Sequence, residues 1–157
     1  MAVGWRRQLA SYWLVGGEQK YVERCRGVFQ TFGDPVIHLG PLGSGLMAKL
    51  LNNLVFTAQI TLALETFSFG ERLGVDRAAL AEVLASGSGG ARAATILAAS
   101  GFDTSALRTH ALPLLRKDID IMLDVARSKG TSTPDSVARL AQHTLTTLSE
   151  PLDTIGT

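Results

Sequence analysis

Apolar positions along the chain follow two regimes, and the change falls near residue 40. Tyr12–Val15 is a short aromatic and β-branched run closed by Gly16-Gly17, which predicts a strand. Glu18–Phe32 then carries Tyr21, Val22, Cys25, Val28, Phe29 and Phe32 at helical spacing, an apolar stripe on one face. Gly33-Asp34-Pro35 breaks that helix, since a proline pushes its predecessor out of the helical region. Val36-Ile37-His38-Leu39 predicts a second strand.

From Gly40 onward the strand signal stops. Gly40–Gly45 is a loop with Ser44 placed to cap the helix that follows, predicted over Leu46–Leu73. Leu50, Leu54, Ala58, Leu62 and Phe69 mark one face of it, and other apolar residues wrap most of the circumference. A helix of that kind is buried on several sides. Gly74 closes it, Asp76 caps a helix over Arg77–Ala85, and Ser86–Gly90 is a glycine-rich loop. Another helix is predicted near Ala91–Ala99, and Ser100–Thr109 reads as irregular. The next helix opens at His110 or Leu112 and runs to Lys129, with Pro113 confined to its first turn. Gly130 ends it, Thr133-Pro134-Asp135 starts a last helix to about Leu148, and Pro151–Thr157 reads as a loose tail. The fold class is mainly α, on a long central helix preceded by a short β-α-β.

Composition narrows the setting. With 157 residues, 46% hydrophobic and 18% charged, the chain suits one ordinary domain with a real core. So apolar a chain suggests a surface that meets a partner domain or subunit. A net charge of +1 gives no case for nucleic acid or an anionic membrane. Cys25 is the only cysteine, which excludes an intramolecular disulfide and points to a reducing compartment, the cytoplasm. Leu50–Leu64 contains Asn52, Asn53, Thr57, Gln59 and Thr61, and reads as too short and too polar to span a bilayer. No secretory signal is evident near Trp5–Arg7.

Candidate chemistry is sparse. Gly40-x-x-Gly43-x-Gly45 sits between strand and helix but has the wrong order for a dinucleotide fingerprint and lacks the lysine of a P-loop; alone it is a tight turn. Lys49 stands among apolar neighbours with Asn53 four residues on, on the same helical face, so the amide can orient the ammonium. In a partly buried setting such a lysine can exchange a proton. A lysine snorkelling near a helix end fits the spacing as well. Lys117-Asp118, within Leu112–Lys129, has the form of an ordinary surface charge pair. His38, His110 and His143 show no ligand spacing, so no metal site is supported.

Taken in order, Gly40-Pro-Leu-Gly-Ser-Gly-Leu-Met-Ala-Lys-Leu-Leu-Asn-Asn53 resembles the catalytic segment of the β-hydroxyacid dehydrogenases, which include 3-hydroxyisobutyrate dehydrogenase and tartronate semialdehyde reductase. Val15-Gly16-Gly17, Ile37-His38-Leu39-Gly40, Glu65, Gly74-Val75-Asp76 and Lys117-Asp118 fall in that family's order, over roughly residues 12–148. The resemblance implies a helical domain like the C-terminal domain of 6-phosphogluconate dehydrogenase over 40–157, with 1–39 the remnant of an NAD(P)-binding Rossmann domain. It implies NAD or NADP as cofactor, a small hydroxy acid or semialdehyde as substrate, and a homodimer or higher homo-oligomer, without nucleic acid or membrane. Lys49 would be the general acid/base and Asn53 would orient it and the substrate oxygen, with Asn52 beside them. Gly43, Ser44 and Gly45 would lie at the substrate carboxylate, and Lys117 would reach the cofactor with Asp118 supporting its helix.

The departures are equally specific. No Gly-x-Gly-x-x-Gly unit is present, nor the family's Ser-Gly-Gly loop ahead of Val15. The aromatic residue before the Lys-Asp pair is replaced by His110 and Ala111, and the last helix lacks the family's usual ending. The expectation is therefore a truncated enzyme, possessing its proton-transfer residues without its nucleotide fingerprint. The alternatives are a non-catalytic dimerisation or ligand-binding module derived from the family, and an imine reductase, against which Lys49 argues.

Overall fold

The computed structural model describes residues 12–150. The chain divides into two compact units that part between Leu51 and Asn52, inside the long helix.

The first unit is a β-α-β. Strand β1 (Trp13–Val15) leads into helix α1 (Gln19–Gln30) and returns as strand β2 (Val36–His38). The strands pair in parallel, Trp13 opposite Val36 and Val15 opposite His38, which requires a crossover such as α1 supplies. Arg26 reinforces the unit by donating to the Val36 carbonyl at 2.9 Å, and the rings of Trp13 and Phe29 lie 5.8 Å apart. The apolar stripe of α1 is nevertheless mostly at the surface. Only Val22 of the helix is buried, while Tyr21, Val28 and Phe32 are 52%, 63% and 72% exposed. A two-stranded sheet offers too little area to cover them.

Helix α2 (Ser44–Arg72) has 29 residues and supplies the end of the first unit and the start of the second. It begins two residues before the predicted start, which corrects the role of Ser44. The Gly43 carbonyl already accepts from the Met47 N–H at 3.0 Å, so Gly43 holds the cap position and Ser44 lies within the first turn. The Ser44 hydroxyl is buried and has no hydrogen-bond partner among the described residues. The predicted face also needs revision. Leu50, Leu54 and Ala58 are buried, but Leu62 and Phe69 are half exposed. Steps of four residues drift about 40° each around a helix, so Leu62 has turned away from the line that Leu50 began.

By length and composition α2 is apolar enough to cross a membrane, contrary to the reading of Leu50–Leu64 as too short and too polar. Its polar residues show a different use. Thr57 and Thr61 are buried in the second unit and their hydroxyls are hydrogen-bonded, as in the core helix of a globular fold.

In the second unit, the rest of α2 is joined by α3 (Arg77–Ser86), α4 (Arg92–Ala99), α5 (Leu112–Ser128) and α6 (Asp135–Thr147). Gly74, at φ +79°, ends α2, with the Val75 N–H returning to the Gly70 carbonyl at 2.9 Å. That is a Schellman closure, and only glycine adopts its left-handed residue without strain. Asp76 caps α3 as predicted, accepting from the Ala79 N–H at 2.8 Å. The core is built from Leu54, Ile60, Phe67, Leu97, Leu115, Ile119, Met122 and Leu145, each no more than 6% exposed.

The stretch Ser100–Thr109 is not irregular throughout. Helix begins at Ser105, passes through a π-turn at Leu107–Ala111, and continues as α5. Pro113 explains both the expectation and its failure. Its ring cannot sit against the carbonyl four residues back in a regular α-helix, and the wider π-turn accommodates it without ending the helix.

Candidate functional site

The site residues named above fall into two groups, one in each unit. In the first unit, Gly43, Ser44 and Gly45 form the turn into α2. Gly45 is buried against β1, where a Cβ would meet the carbonyl of Leu14, and a Cβ on Gly16 would meet Pro41 and Ser44. The glycines are thus required by close backbone approach. His38 ties the same turn together, its Nε2 lying 2.8 Å from the Gly17 carbonyl and 3.1 Å from that of Gly40. Both partners can only accept, so Nε2 carries the hydrogen. The position of His38 between two glycine turns is the sequence signal for this role.

Lys49 also belongs to this unit, in the second turn of α2, and it is exposed. The partial burial that the apolar neighbours suggested is absent, because Leu46 and Leu51 beside it are themselves half exposed.

In the second unit, Asn53 is half-buried and its side-chain N–H donates to the Asp118 carboxylate at 2.6 Å. A charged acceptor at this distance makes a strong hydrogen bond. It joins α2 to α5 across 65 positions of sequence and fixes the amide: Nδ2 faces Asp118, so Oδ1 is turned the other way. Asn52 is exposed, and its Nδ2 lies 3.4 Å from Asn53 Oδ1. Lys117 and Asp118 are not a simple surface pair. Lys117 is exposed on α5, whereas Asp118 is half-buried and receives Asn53.

Residues that sequence reasoning missed stand behind Asn53. The Thr57 hydroxyl donates to the Asn53 carbonyl at 2.7 Å, and the Thr144 hydroxyl of α6 donates to the Thr57 carbonyl at 2.7 Å. By composition Thr57 is only a polar residue within an apolar helix. The four-residue step from Asn53 to Thr57 was its local signal; Thr144 had none.

A family model described as the NAD-binding domain of NADP-dependent 3-hydroxyisobutyrate dehydrogenase matches residues 43–153. The chain belongs to that family. NAD or NADP is the cofactor of such domains. A probable 3-hydroxyisobutyrate dehydrogenase of Mycobacterium tuberculosis is 29% identical over 128 residues, 77% of this chain and 44% of the relative. An NAD-dependent L-serine dehydrogenase of Pseudomonas aeruginosa is 27% identical over 141 residues, 84% of this chain and 47% of the relative. The chain therefore spans about half the length of the curated relatives it matches. Among solved structures, 3-hydroxyisobutyrate dehydrogenase of Mycobacterium tuberculosis with L-serine aligns at a TM-score of 0.68 and 24% identity, over 88% of this chain and 48% of that one. That likeness establishes the fold, mainly helical with a short β-α-β.

Proposed function

We propose that this chain carries the proton-transfer residues of an NAD(P)-dependent dehydrogenase for a small 3-hydroxy acid or the matching semialdehyde. The observation that carries the reading is the 2.6 Å hydrogen bond from Asn53 to Asp118. It holds an amide in one orientation, one helical turn beyond Lys49 along α2. L-serine, present with the structural neighbour, is a 3-hydroxy acid and a suitable first substrate.

In the oxidative direction Lys49 Nζ accepts the proton of the substrate hydroxyl, and in the reductive direction it returns it to the carbonyl oxygen. Its exposure leaves the amine reachable by a substrate. Asn53 orients the reacting oxygen, with Asn52 beside it, and Asp118 keeps the Asn53 amide from turning. Gly43, Ser44 and Gly45 receive the substrate carboxylate at the start of α2, where backbone N–H groups favour an anion. The nicotinamide dinucleotide, when bound, exchanges hydride with the substrate carbon. The donor set on α5 fits it: Lys117 presents three N–H donors at the surface and would hold the cofactor.

The test is turnover of L-serine and 3-hydroxyisobutyrate with NAD or NADP, with dinucleotide binding followed by calorimetry. Lys49→Ala is expected to lower kcat by about 10²–10⁴, with dinucleotide affinity retained. Undiminished kcat in that variant overturns the assignment. A second reading, a non-catalytic helical module, is favoured by the lack of Gly-x-Gly-x-x-Gly in the 157 residues. Failure of the chain to bind either dinucleotide would support it.

A further inference from the structure

Three buried threonines stand behind Asn53. Thr57, Thr61 and Thr144 are 0%, 4% and 1% exposed, and they are the buried polar side chains among the described residues. Their hydroxyls have one proton each, so the hydrogen bonds must run in sequence. Thr144 has its shortest carbonyl acceptor in Thr57, at 2.7 Å, against 3.1 Å to the Leu140 carbonyl of its own helix. Having given its proton to Thr57, it accepts from Thr61, 2.6 Å away. Thr57 in turn donates to the Asn53 carbonyl at 2.7 Å. The order is Thr61 to Thr144 to the Thr57 backbone, and from the Thr57 side chain to the Asn53 backbone.

Asn53 is therefore held at both ends. Its side chain is fixed from α5 by Asp118, and its backbone is fixed through the turn of α2 that Thr144 grips from α6. We infer that Thr144 is a positioning residue for Asn53, setting the height and rotation of α2 at which the Asn53 amide meets Asp118. This rests on the reading of Asn53 as the residue that orients the reacting oxygen, but the positioning itself can be tested apart from turnover. The bond depends on the alignment of donor and acceptor as well as on its 2.6 Å length. A small shift of α2 along α6 therefore lengthens it before the core is disrupted.

The three threonines make the test discriminating. Thr144→Val keeps the shape and removes the grip on Thr57. Thr61→Val also removes a buried hydroxyl, but leaves Thr144 bonded to Thr57. Thr144→Ser restores the donor. The readout is the side-chain amide of Asn53 by NMR on the full chain, assigned by its loss in Asn53→Ala, with melting temperature followed in parallel. Thr144→Val is expected to speed exchange of the Asn53 side-chain protons about tenfold and to move their resonances towards those of a free amide. Thr61→Val and Thr144→Ser are expected to leave both near the wild-type values.

Equal effects in Thr144→Val and Thr61→Val would overturn the inference, because the threonines would then act only through core stability. An unchanged Asn53 amide in Thr144→Val would overturn it as well. If Thr144→Val does not fold, Thr144→Cys, of similar size with a much weaker donor, takes its place: a loosened Asn53 amide supports the inference, and a wild-type one overturns it. None of these results depends on Lys49→Ala, so the proposed reaction and the positioning can fail separately.

Discussion

Helix α1 is apolar along one side and α2 around most of its circumference, and they put that surface to different uses. In the first unit, α1 buries Val22 and leaves Tyr21, Val28 and Phe32 more than half exposed. In the second, α2 buries Leu54, Thr57, Ala58, Ile60, Thr61, Ala63 and Phe67. The difference lies in what surrounds them. The first unit offers two three-residue strands, whereas the second offers four further helices. An apolar stripe predicts burial only where enough neighbouring surface exists to cover it.

The strongest way to break this contrast is to truncate one aromatic residue in each unit. Phe67, 2% exposed, meets Phe102 edge-on with ring centroids 5.0 Å apart. Phe67→Ala is expected to lower stability in chemical denaturation by about 3–5 kcal/mol. Phe32→Ala, at a residue 72% exposed, is expected to change it by no more than about 0.5 kcal/mol. Comparable losses would show that the stripe of α1 is covered after all.

The contrast is sharpened at Gly45, where the first unit is tightly built. A Cβ there would meet the Leu14 backbone, which cannot yield as a side-chain tip can. Gly45→Ala is expected to cost about 1–3 kcal/mol and to raise amide exchange in β1 while leaving α5 and α6 protected. Uniform exchange across both units would contradict their separation.

The smallest effect is electrostatic. The Glu23 carboxylate accepts two hydrogen bonds from Arg26, at 2.8 and 2.7 Å. These hold its pKa below the ordinary 4.5, helped by the charge of Arg26 and opposed by slight desolvation. A carboxyl lowered on folding stabilises the folded form above its ordinary pKa, and that contribution disappears as pH falls through the lowered value. Amide protection in α1 is thus expected to weaken slightly below about pH 4.5, and Glu23→Gln should remove that pH dependence. At this exposed position the effect is small.

Local patterns announced most of the fold. Gly16-Gly17 and Gly33-Asp34-Pro35 bracket β1, α1 and β2, and Gly74, Asp76 and Gly130 mark helix ends, because turns and caps are decided within a few residues. The start of α2 escaped that logic. Ser44 has the chemistry of a cap, but Gly43 takes the position. The site was legible to a lesser degree. The step from Lys49 to Asn53 lies along one helix and can be counted, and the resemblance supplied Lys117 and Asp118 as a pair. No periodicity could show that Asp118 receives Asn53 while Lys117 stays at the surface, or that Thr144 reaches Thr57 across 87 positions. Those contacts depend on how α5 and α6 lie against α2, which is settled by the whole core.

The π-turn at Leu107–Ala111 has a consequence for any transfer of roles between relatives. A π-turn takes up about one residue more than an α-turn, so the helical run from Ser105 to Ser128 contains a phase slip. Residues before it and after it keep different rotational registers. Counting straight through from Ser105 as though the run were regular misplaces the later residues by about 100°, the angle between neighbours such as Lys117 and Asp118. In a relative without the bulge, the residue aligned with Asp118 by distance from the helix start would occupy its neighbour's direction. The partner of Asn53 is therefore found by counting back from the end of α5.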